Sequence, residues 1–236
     1  MSQQNIQPLS KNVHGQIKLK NPQNFSYVSG QHLAPVVVQE FARAASEFPI
    51  VFVKNTETGD FQVVALFGVK PGENLYTQTE KWDGSYVPAA LTHYPLALVP
   101  ESKDSDKLII VIATENDMVN EDEGEALFQE SGEETEYLAR RKQALGKYFE
   151  NSQMTRMFVK ELAERELLME QNLEIKAKDE KIQLSGIYVV NEKKLAELSD
   201  EDFLDMRKRG MLAPIYSHLN SLHQINRLAQ KKASLN

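Results

Sequence analysis

Two β-branched, apolar runs joined by a turn-forming segment constrain the fold more than any other feature of this sequence. PIVFVK (49–54) and FQVVALFGV (61–69) are rich in residue types that favour strands, and NTETGD between them supplies Asn, Gly and Asp for a turn. This pattern predicts a β-hairpin. A second hairpin is predicted in LEIKAKDEKIQLSGIYVVN (173–191), turning at 178–181. KLIIVIA (107–113) predicts a central strand, because an uninterrupted apolar run suits burial on both faces.

Helical patterns precede and follow these strands. PVVVQEFARAASEF (35–48) spaces its apolar residues for one buried face, which predicts a core helix. A longer helical region is predicted from about 134 to 171, with a break near Asn151 and Ser152 because Ser152 can cap a second helix. Further helices are predicted from about 200 to 230, where start and stop signals agree with each other.

Together these elements predict an α+β fold. A largely antiparallel sheet, built from the two hairpins plus the central Leu108 strand, would be covered by the helices. At 236 residues the chain is long enough to bury a substantial core. We expect a single domain over residues 25–236, preceded by a flexible N-terminal lead-in at 1–24, where Gln, Asn and Lys predominate.

Charge and cysteine content narrow the classes of function. The chain has 27 Lys and Arg against 34 Asp and Glu, a net charge of −7, which argues against a nucleic-acid partner. It has no cysteine and therefore no disulfide or thiolate metal site. The polar start lacks the apolar core of a secretory signal, and the apolar runs fall short of the about 20 residues needed to span a bilayer. We therefore expect a cytoplasmic protein without a membrane span, with export by a non-standard route left open.

The sequence predicts no metal site and no cofactor. His218 and His223 are five residues apart, which on a helix places them about 140° apart around the axis. The glycines form no nucleotide-binding motif. An acidic block at 115–136 departs from the order of ligands in an EF-hand, so a solvated loop is favoured over a calcium site.

An aromatic and glycine-rich segment, KPGENLYTQTEKWDGSYVPAALTHYPLAL (70–98), is the best candidate for a binding site. Its rings offer an apolar body with a polar edge, which suits stacking on a sugar ring or on a peptide side chain. The alternative is that the same rings close one end of the sheet as core. The predicted ligand-binding residues are Tyr76, Trp82, Asp83, Tyr86, His93 and Tyr94.

The C-terminal part of the chain is strongly basic. From Met206 onward there are six lysines and arginines and no acidic residue. This part could pair with the acidic block of the chain or with an acidic partner. The intramolecular pairing requires no further assumption, and we therefore favour it.

Several segments, taken in order, resemble the SapC family of bacterial proteins over about residues 25 to 228. They are EFPIVFVK, FQVVALFGVKPGENLY, WDGSYVPAALTHYPLAL, GEALF, GIYVVNEKKLAELSDEDFLDMRKRGML and IYSHLNSL. The family is named from a surface-layer gene cluster, so the resemblance implies a bacterial surface-layer or envelope-uptake context. It implies no catalytic residue at any position.

These observations favour a non-enzymatic accessory protein that binds a peptide, protein or carbohydrate through the aromatic segment. The first alternative is an enzyme that modifies a small molecule or peptide with a metal or 2-oxoacid cofactor. That enzyme would need a pocket in which histidines meet acidic residues, drawn from His32, His93, Glu73 and Asp83. The second alternative is a structural subunit or homo-oligomer that packs through an uncovered C-terminal stripe of Ile215, Leu219 and Leu222.

Overall fold

The protein contains both helices and antiparallel strands, which confirms the predicted α+β class. The computed structural model describes residues 5–20, 25–79, 81–102, 105–178 and 180–235. Two compact units make up the chain: the first consists of Met1–Tyr27 and Ala89–Glu150, and the second of Val28–Pro88 and Asn151–Asn236. In the described ranges, no helix carries an apolar stretch of the length that a bilayer crossing requires.

The strands are β1 (Ile6–Pro8), β2 (Lys18–Leu19), β3 (Leu33–Pro35), β4 (Ile50–Lys54), β5 (Phe61–Leu66), β6 (Leu96–Pro100), β7 (Leu108–Ala113), β8 (Val119–Asn120), β9 (Glu125–Ala126), β10 (Leu168–Ala177) and β11 (Glu180–Val190). The helices are α1 (Lys11–His14), α2 (Phe41–Ala44), α3 (Ala89–Thr92), α4 (Glu136–Glu164), α5 (Glu192–Ala196), α6 (Asp200–Lys208), α7 (Leu212–Ser221) and α8 (Ile225–Ser234).

A five-stranded antiparallel sheet lies in the second unit, in the order β10-β11-β4-β5-β3. Both predicted hairpins are found in it, as β4 with β5 and β10 with β11. Asn55 closes the first turn, because its Oδ1 accepts hydrogen bonds from the backbone N–H groups of Glu57 (2.8 Å) and Thr58 (3.2 Å). The second turn lies where it was predicted, although Asp179 within it is outside the described residues.

Helix α7 is fixed to this sheet by a buried histidine. The Nδ1 of His218 donates to the carbonyl oxygen of Ile50 at 2.7 Å, and its Nε2 accepts from the backbone N–H of Val190 at 3.0 Å. A backbone N–H can only donate, so Nε2 carries no proton and the ring is neutral. Burial lowers the pKa of His218 to about 4, although the bond to Ile50 acts in the opposite direction. The ring thus bridges β4 and β11 in its neutral form.

The first unit contains two small sheets, in the orders β1-β7-β6 and β8-β2-β9. The Leu108 strand, β7, pairs with β1 and β6. The sequence predicted it in one sheet with the two hairpins. Seven residues, 101–107, separate β6 from β7, and closing a connection of this length costs little entropy. One cluster of buried side chains in this unit consists of Leu19, Leu96, Ile112, Leu127, Leu138 and Leu145.

The N-terminal segment, expected to be a flexible lead-in, supplies strands to both of these sheets. Residues 5–20 form β1, α1 and β2, and Leu19 is buried. Ile6 lies opposite Ala113, so the pairing of β1 depends on a strand a hundred residues away that polar composition cannot reveal. The remaining part of the predicted lead-in, 1–4 and 21–24, is outside the described residues. The domain boundary at residue 25 stays a prediction.

Two helical segments differ from their predictions. Helix α4 continues through the expected break near Asn151, where the Oγ1 of Thr155 donates to the carbonyl oxygen of Asn151 at 2.8 Å. It ends at Glu164 instead of about 171, because Leu168 already pairs with Val190 in the sheet. Pairing along a ten-residue strand outweighs the helical propensity of this stretch.

The predicted core helix at 35–48 is shorter than expected. Its first residues belong to β3 and to a 3₁₀ turn, and only Phe41–Ala44 are α-helical. Val36 and Val37 are both buried, whereas neighbouring positions of a helix lie about 100° apart around its axis. The carboxylate of Glu40 accepts a hydrogen bond from the backbone N–H of Val37 at 3.1 Å, which starts the turn.

Acidification is expected to destabilise the protein through His218. Unfolded histidine has a pKa of about 6.5, whereas that of His218 in the folded protein is lowered to about 4. The unfolded chain therefore binds the extra proton as pH falls below 6.5, and the free energy of unfolding decreases progressively toward pH 4. Between pH 7 and pH 5 the contribution of His218 to this decrease should be on the order of 2 kcal/mol, measured by urea denaturation with circular dichroism.

The matched variant is His218→Gln, whose side-chain amide keeps one donor and one acceptor but does not titrate in this range. It should be less stable at pH 7, and between pH 7 and pH 5 its stability should fall by about 2 kcal/mol less than that of the wild type. The remaining decrease comes from other groups, among them His93, whose pKa burial also lowers to about 4. An equally steep decrease in the variant and in the wild type would show that other groups cause it.

Candidate functional site

Four of the six predicted ligand-binding residues lie in one loop of the second unit. Tyr76, Trp82, Asp83 and Tyr86 follow β5, and we call residues 73–79 and 81–86 the aromatic loop. His93 and Tyr94 belong to the first unit, where they follow helix α3. The aromatic segment of the sequence therefore contributes to both units.

The rings of the aromatic loop join the core of the second unit. Tyr76 is fully buried and stacks on Trp82, with ring centroids 5.5 Å apart and planes inclined by 23°. Phe48 and Phe67 meet these two rings edge-on at centroid distances between 4.9 and 6.2 Å. We call these four residues the aromatic cluster. Trp82 and Tyr86 are half-buried and Asp83 is exposed, so only part of the predicted set reaches solvent.

Two residues fix the path of the aromatic loop. The side-chain amide of Asn74 donates to the carbonyl oxygen of Val28 at 3.0 Å, and its Oδ1 accepts from the backbone N–H of Tyr76 at 2.9 Å. Gly84 approaches the aromatic cluster so closely that a Cβ there would lie 2.9 Å from the Nε1 of Trp82. A side chain at position 84 would therefore displace the indole ring.

The carboxylate of Glu47 lies buried beside the aromatic cluster. It accepts hydrogen bonds from the Oγ of Ser85 at 2.6 Å and from the Nη1 of Arg227 at 2.6 Å. The hydroxyl of Tyr76 donates to the backbone carbonyl of Glu47 at 2.8 Å. Burial alone would raise the pKa of Glu47, but the hydrogen bonds from Ser85 and Arg227 outweigh it and hold the pKa below its usual value. Glu47 is therefore ionised, and its contacts are those of a structural ion pair.

A second buried carboxylate holds the end of the loop. The hydroxyl of Tyr86 donates a hydrogen bond to the carboxylate of Glu40, and the guanidinium of Arg43 lies 5.2 Å from the centroid of the Tyr86 ring. Burial, followed by the bond to Glu40, raises the pKa of the Tyr86 hydroxyl. Tyr86 therefore stays protonated and acts as a hydrogen-bond donor.

Helix α8 carries three basic side chains that pair with carboxylates of the second unit. The pairing is intramolecular, as favoured, but these partners lie in and beside the aromatic loop instead of in the acidic block at 115–136 that the sequence analysis named. The pairs are Arg227 with Glu47, Lys231 with Asp83, and Lys232 with Glu73.

In the first unit, His93 and Tyr94 pack against other rings. Tyr94 stacks on Tyr27 with centroids 4.5 Å apart and planes 7° apart, and the His93 ring lies 5.1 Å from that of Tyr148. The guanidinium of Arg141 donates to the carbonyl oxygen of His93 at 2.6 Å. Burial, together with the charge of Arg141, lowers the pKa of His93 to about 4. His93 is therefore neutral at physiological pH.

Tyr94 also lines a shallow groove of about 150 Å³ on the sheet formed by β1, β7 and β6. Ile6, Val111, Ala113 and Ala97 share this face of the sheet, because each stands opposite or two residues from the next. Ala90, Ala97 and Ala113 have small side chains, which leave the space of the groove unfilled. We call it the Tyr94 groove, and its lining residues are Ile6, Ala90, Tyr94, Pro95, Leu96, Ala97, Val111 and Ala113.

The groups required by the enzyme alternative have other partners. Glu73 and Asp83 pair with lysines of α8, and His93 packs on Tyr148. Burial lowers the pKa of His32, which favours its neutral form. Among the residues that the structure describes, no three His, Cys, Asp or Glu side chains are grouped so that they could hold a metal ion.

A profile of the SapC family matches residues 9–228. The chain belongs to the SapC family. No match was found among curated proteins or among solved structures. Membership confirms the resemblance seen in the sequence, while the context and the ligand of this SapC-family protein stay open to proposal.

Sequence analysis missed the residues that organise the site of this SapC-family protein. Glu47 stands between Ser46 and Phe48 in a pattern that reads as the exposed side of a helix, and nothing in that pattern indicates burial. Arg227 and Lys231 were noted only as part of a basic C-terminal region. Their spacing of four residues, which places them on one helix face, was the available signal.

Replacing Glu47 by Ala is expected to lower the free energy of unfolding by about 2 kcal/mol. The variant leaves Ser85 and Arg227 without their acceptor, and the figure is below that of a fully buried pair because Arg227 is 40% exposed. Urea unfolding followed by the emission of Trp82, the only tryptophan, measures it.

The control variant is Glu57→Ala, which removes an exposed carboxylate of the β4–β5 turn. It should change the free energy of unfolding by less than about 0.5 kcal/mol. Equal stability of the two variants would refute a structural role for the Glu47 ion pair.

Proposed function

We propose that this SapC-family protein is a non-catalytic accessory protein that binds a peptide or protein partner through the Tyr94 groove, in a bacterial surface-layer or envelope-uptake context. The single observation that carries the proposal is the groove itself. It lies on a sheet face, is lined by apolar side chains and contains Tyr94, one of the predicted ligand-binding residues. The context rests on family membership.

The size of the Tyr94 groove favours one side chain as its occupant. Sites for whole small molecules measure about 300–1,000 Å³, whereas this groove measures about 150 Å³. A cavity of that order accommodates a benzene ring. An apolar side chain, such as Leu or Phe of a partner, therefore fits better than an intact small-molecule substrate.

The lining of the Tyr94 groove argues for a peptide rather than a carbohydrate. Sugar recognition requires several convergent donors and acceptors in addition to an aromatic face, and the side chains here are almost entirely apolar. Ile6 stands at the groove with 59% of its surface exposed, and a bound apolar side chain would cover it. Burial of apolar surface would then be the main driving force for binding.

The structural-subunit alternative lacks its expected feature. Ile215 is fully buried, and Leu219 and Leu222 are half-buried, so the C-terminal stripe that was to mediate oligomerisation is not left uncovered. This observation favours the Tyr94 groove over α7 as the surface that meets a partner.

N-acetyl-phenylalaninamide, used as a probe, is expected to bind in the Tyr94 groove at millimolar concentration. In ¹⁵N-resolved NMR spectra it should shift the backbone amides of Ala97, Val111 and Ala113. The variant Ala97→Phe fills the groove with its own ring and should abolish these shifts. Methyl glucoside should leave the same amides unshifted, because the groove offers few polar partners.

The matched control is Ala139→Phe, which adds the same ring at an exposed alanine of α4 in the same unit. It should retain the response to the probe. Shifts that are absent in the wild type, or that persist in Ala97→Phe, would overturn the proposal.

A further inference from the structure

Helix α8 covers part of the aromatic loop with positive charge. The Nη1 of Arg227 lies 2.6 Å from a carboxylate oxygen of Glu47, and the Nζ of Lys231 lies 2.6 Å from one of Asp83. Lys231 also donates to the backbone carbonyl of Asp83 at 3.0 Å and sits 4.5 Å from the centroid of the Tyr76 ring. One lysine thus binds a carboxylate, a carbonyl and an aromatic face together.

The surface beneath α8 has the chemistry of a receptor for cations. Carboxylates bind ammonium and guanidinium groups through charge-assisted hydrogen bonds, and an aromatic face attracts the same groups. Glu47, Tyr76 and Asp83 supply these features in one place, and Glu73 adds a further carboxylate beside them, which pairs with Lys232. We call these four residues the acidic-aromatic surface. In the folded chain its ligand is α8.

Helix α8 is held to this surface by three ion pairs and by the burial of Leu228. Leu228 is its one fully buried side chain in the described part of the chain. The carboxylate side chain of Asp83 is 73% exposed, and an ion pair with an exposed partner contributes little to stability and is screened by salt. Loss of α8 alone would leave the buried carboxylate of Glu47 without its cation, so α8 leaves this surface only when another basic segment supplies one.

We propose that the acidic-aromatic surface is a second binding site, which takes a helical segment rich in Lys and Arg from a partner protein, and that α8 occupies it until such a segment displaces it. Charge complementarity identifies the occupant: a partner's arginine would take the place of Arg227 and its lysine that of Lys231. The inference goes beyond the proposed function, because it concerns other residues and a different driving force from those of the Tyr94 groove.

Displacement of α8 is a competition between an intramolecular and an intermolecular ligand. A tethered helix acts at an effective concentration on the order of millimolar. A free segment with the same contacts therefore binds the wild type weakly, and it binds more tightly once α8 is weakened. The two lysines can be changed without touching the receptor residues, which makes the competition measurable.

The test uses the full-length protein and a fluorescein-labelled peptide with the sequence of residues 222–235, LHQINRLAQKKASL. Fluorescence anisotropy at low salt should show at least tenfold tighter binding to the variant Lys231→Ala/Lys232→Ala than to the wild type. A peptide with Gln in place of its arginine and two lysines should not bind. Emission of Trp82 should shift as α8 is weakened and return when the peptide binds.

The matched control is Arg207→Ala/Lys208→Ala, which removes the same number of charges from the exposed end of α6. It should bind the peptide no better than the wild type. Adding Asp83→Asn and Glu73→Gln to the lysine variant should abolish binding, which locates the site. Circular dichroism confirms that each variant is folded, and the single variant Lys231→Ala replaces the double one if that one is unfolded.

Equal peptide affinity in the lysine variant and in the control would overturn the proposal, as would binding of the Gln-substituted peptide. A dimeric mass of the lysine variant in size-exclusion chromatography would also overturn it, because the segment that replaces α8 would then come from a second copy of the chain. The variant Ala97→Phe should bind the peptide like the wild type, so failure of the Tyr94 groove leaves this test intact.

Discussion

The buried carboxylate of Glu47 is the constraint on which the architecture around the aromatic loop depends. An ionised group that leaves water without partners costs several kcal/mol, about 3–5 in measured cases where one partner of a buried pair is removed. Glu47 has such partners, because its carboxylate accepts hydrogen bonds from Arg227 of α8 and from Ser85 of the aromatic loop. The same residue also receives the hydroxyl of Tyr76 on its backbone carbonyl. One residue therefore fixes the loop, the aromatic cluster and the last helix together.

Local elements of the fold were predictable because their causes are local. The β4–β5 hairpin follows from two apolar runs and from the segment NTETGD between them, which contains the turn-forming residues Asn, Gly and Asp. Asn55 closes that turn, as its residue type suggests. Pairings between distant segments were not predictable. The partners of β1 and β2 lie about a hundred residues away, and a polar N-terminal segment shows no periodicity that would reveal them. The prediction of a helix at 35–48 was wrong for a related reason, since Pro35 belongs to β3 and pairs there with Val64 of β5.

The candidate sites likewise combine features with local causes and features that depend on contacts between distant segments. Ring density drew attention to the aromatic loop, but the sequence cannot distinguish a ring that faces solvent from one that completes the core, and Tyr76 is fully buried. The Tyr94 groove brings Ile6 and Ala113 together only through strand pairing. The ion pair between Glu47 and Arg227 joins residues 180 apart in sequence. Each of these depends on tertiary contacts, for which single residues carry no signal.

The Tyr94 groove and the acidic-aromatic surface should respond to salt in opposite ways. Binding in the groove depends on apolar burial, which salts excluded from the protein surface strengthen. Ion pairs are screened, with a Debye length of about 10 Å at 0.1 M salt that shortens to about 3 Å at 1 M. In the wild type, salt weakens both α8 and any basic segment that competes with it, so the two effects largely cancel. In the variant Lys231→Ala/Lys232→Ala, where α8 competes less, raising the salt concentration weakens binding at the acidic-aromatic surface, while binding in the groove is unaffected or strengthened. The dependence of affinity on salt in that variant thus identifies which of the two surfaces a partner uses.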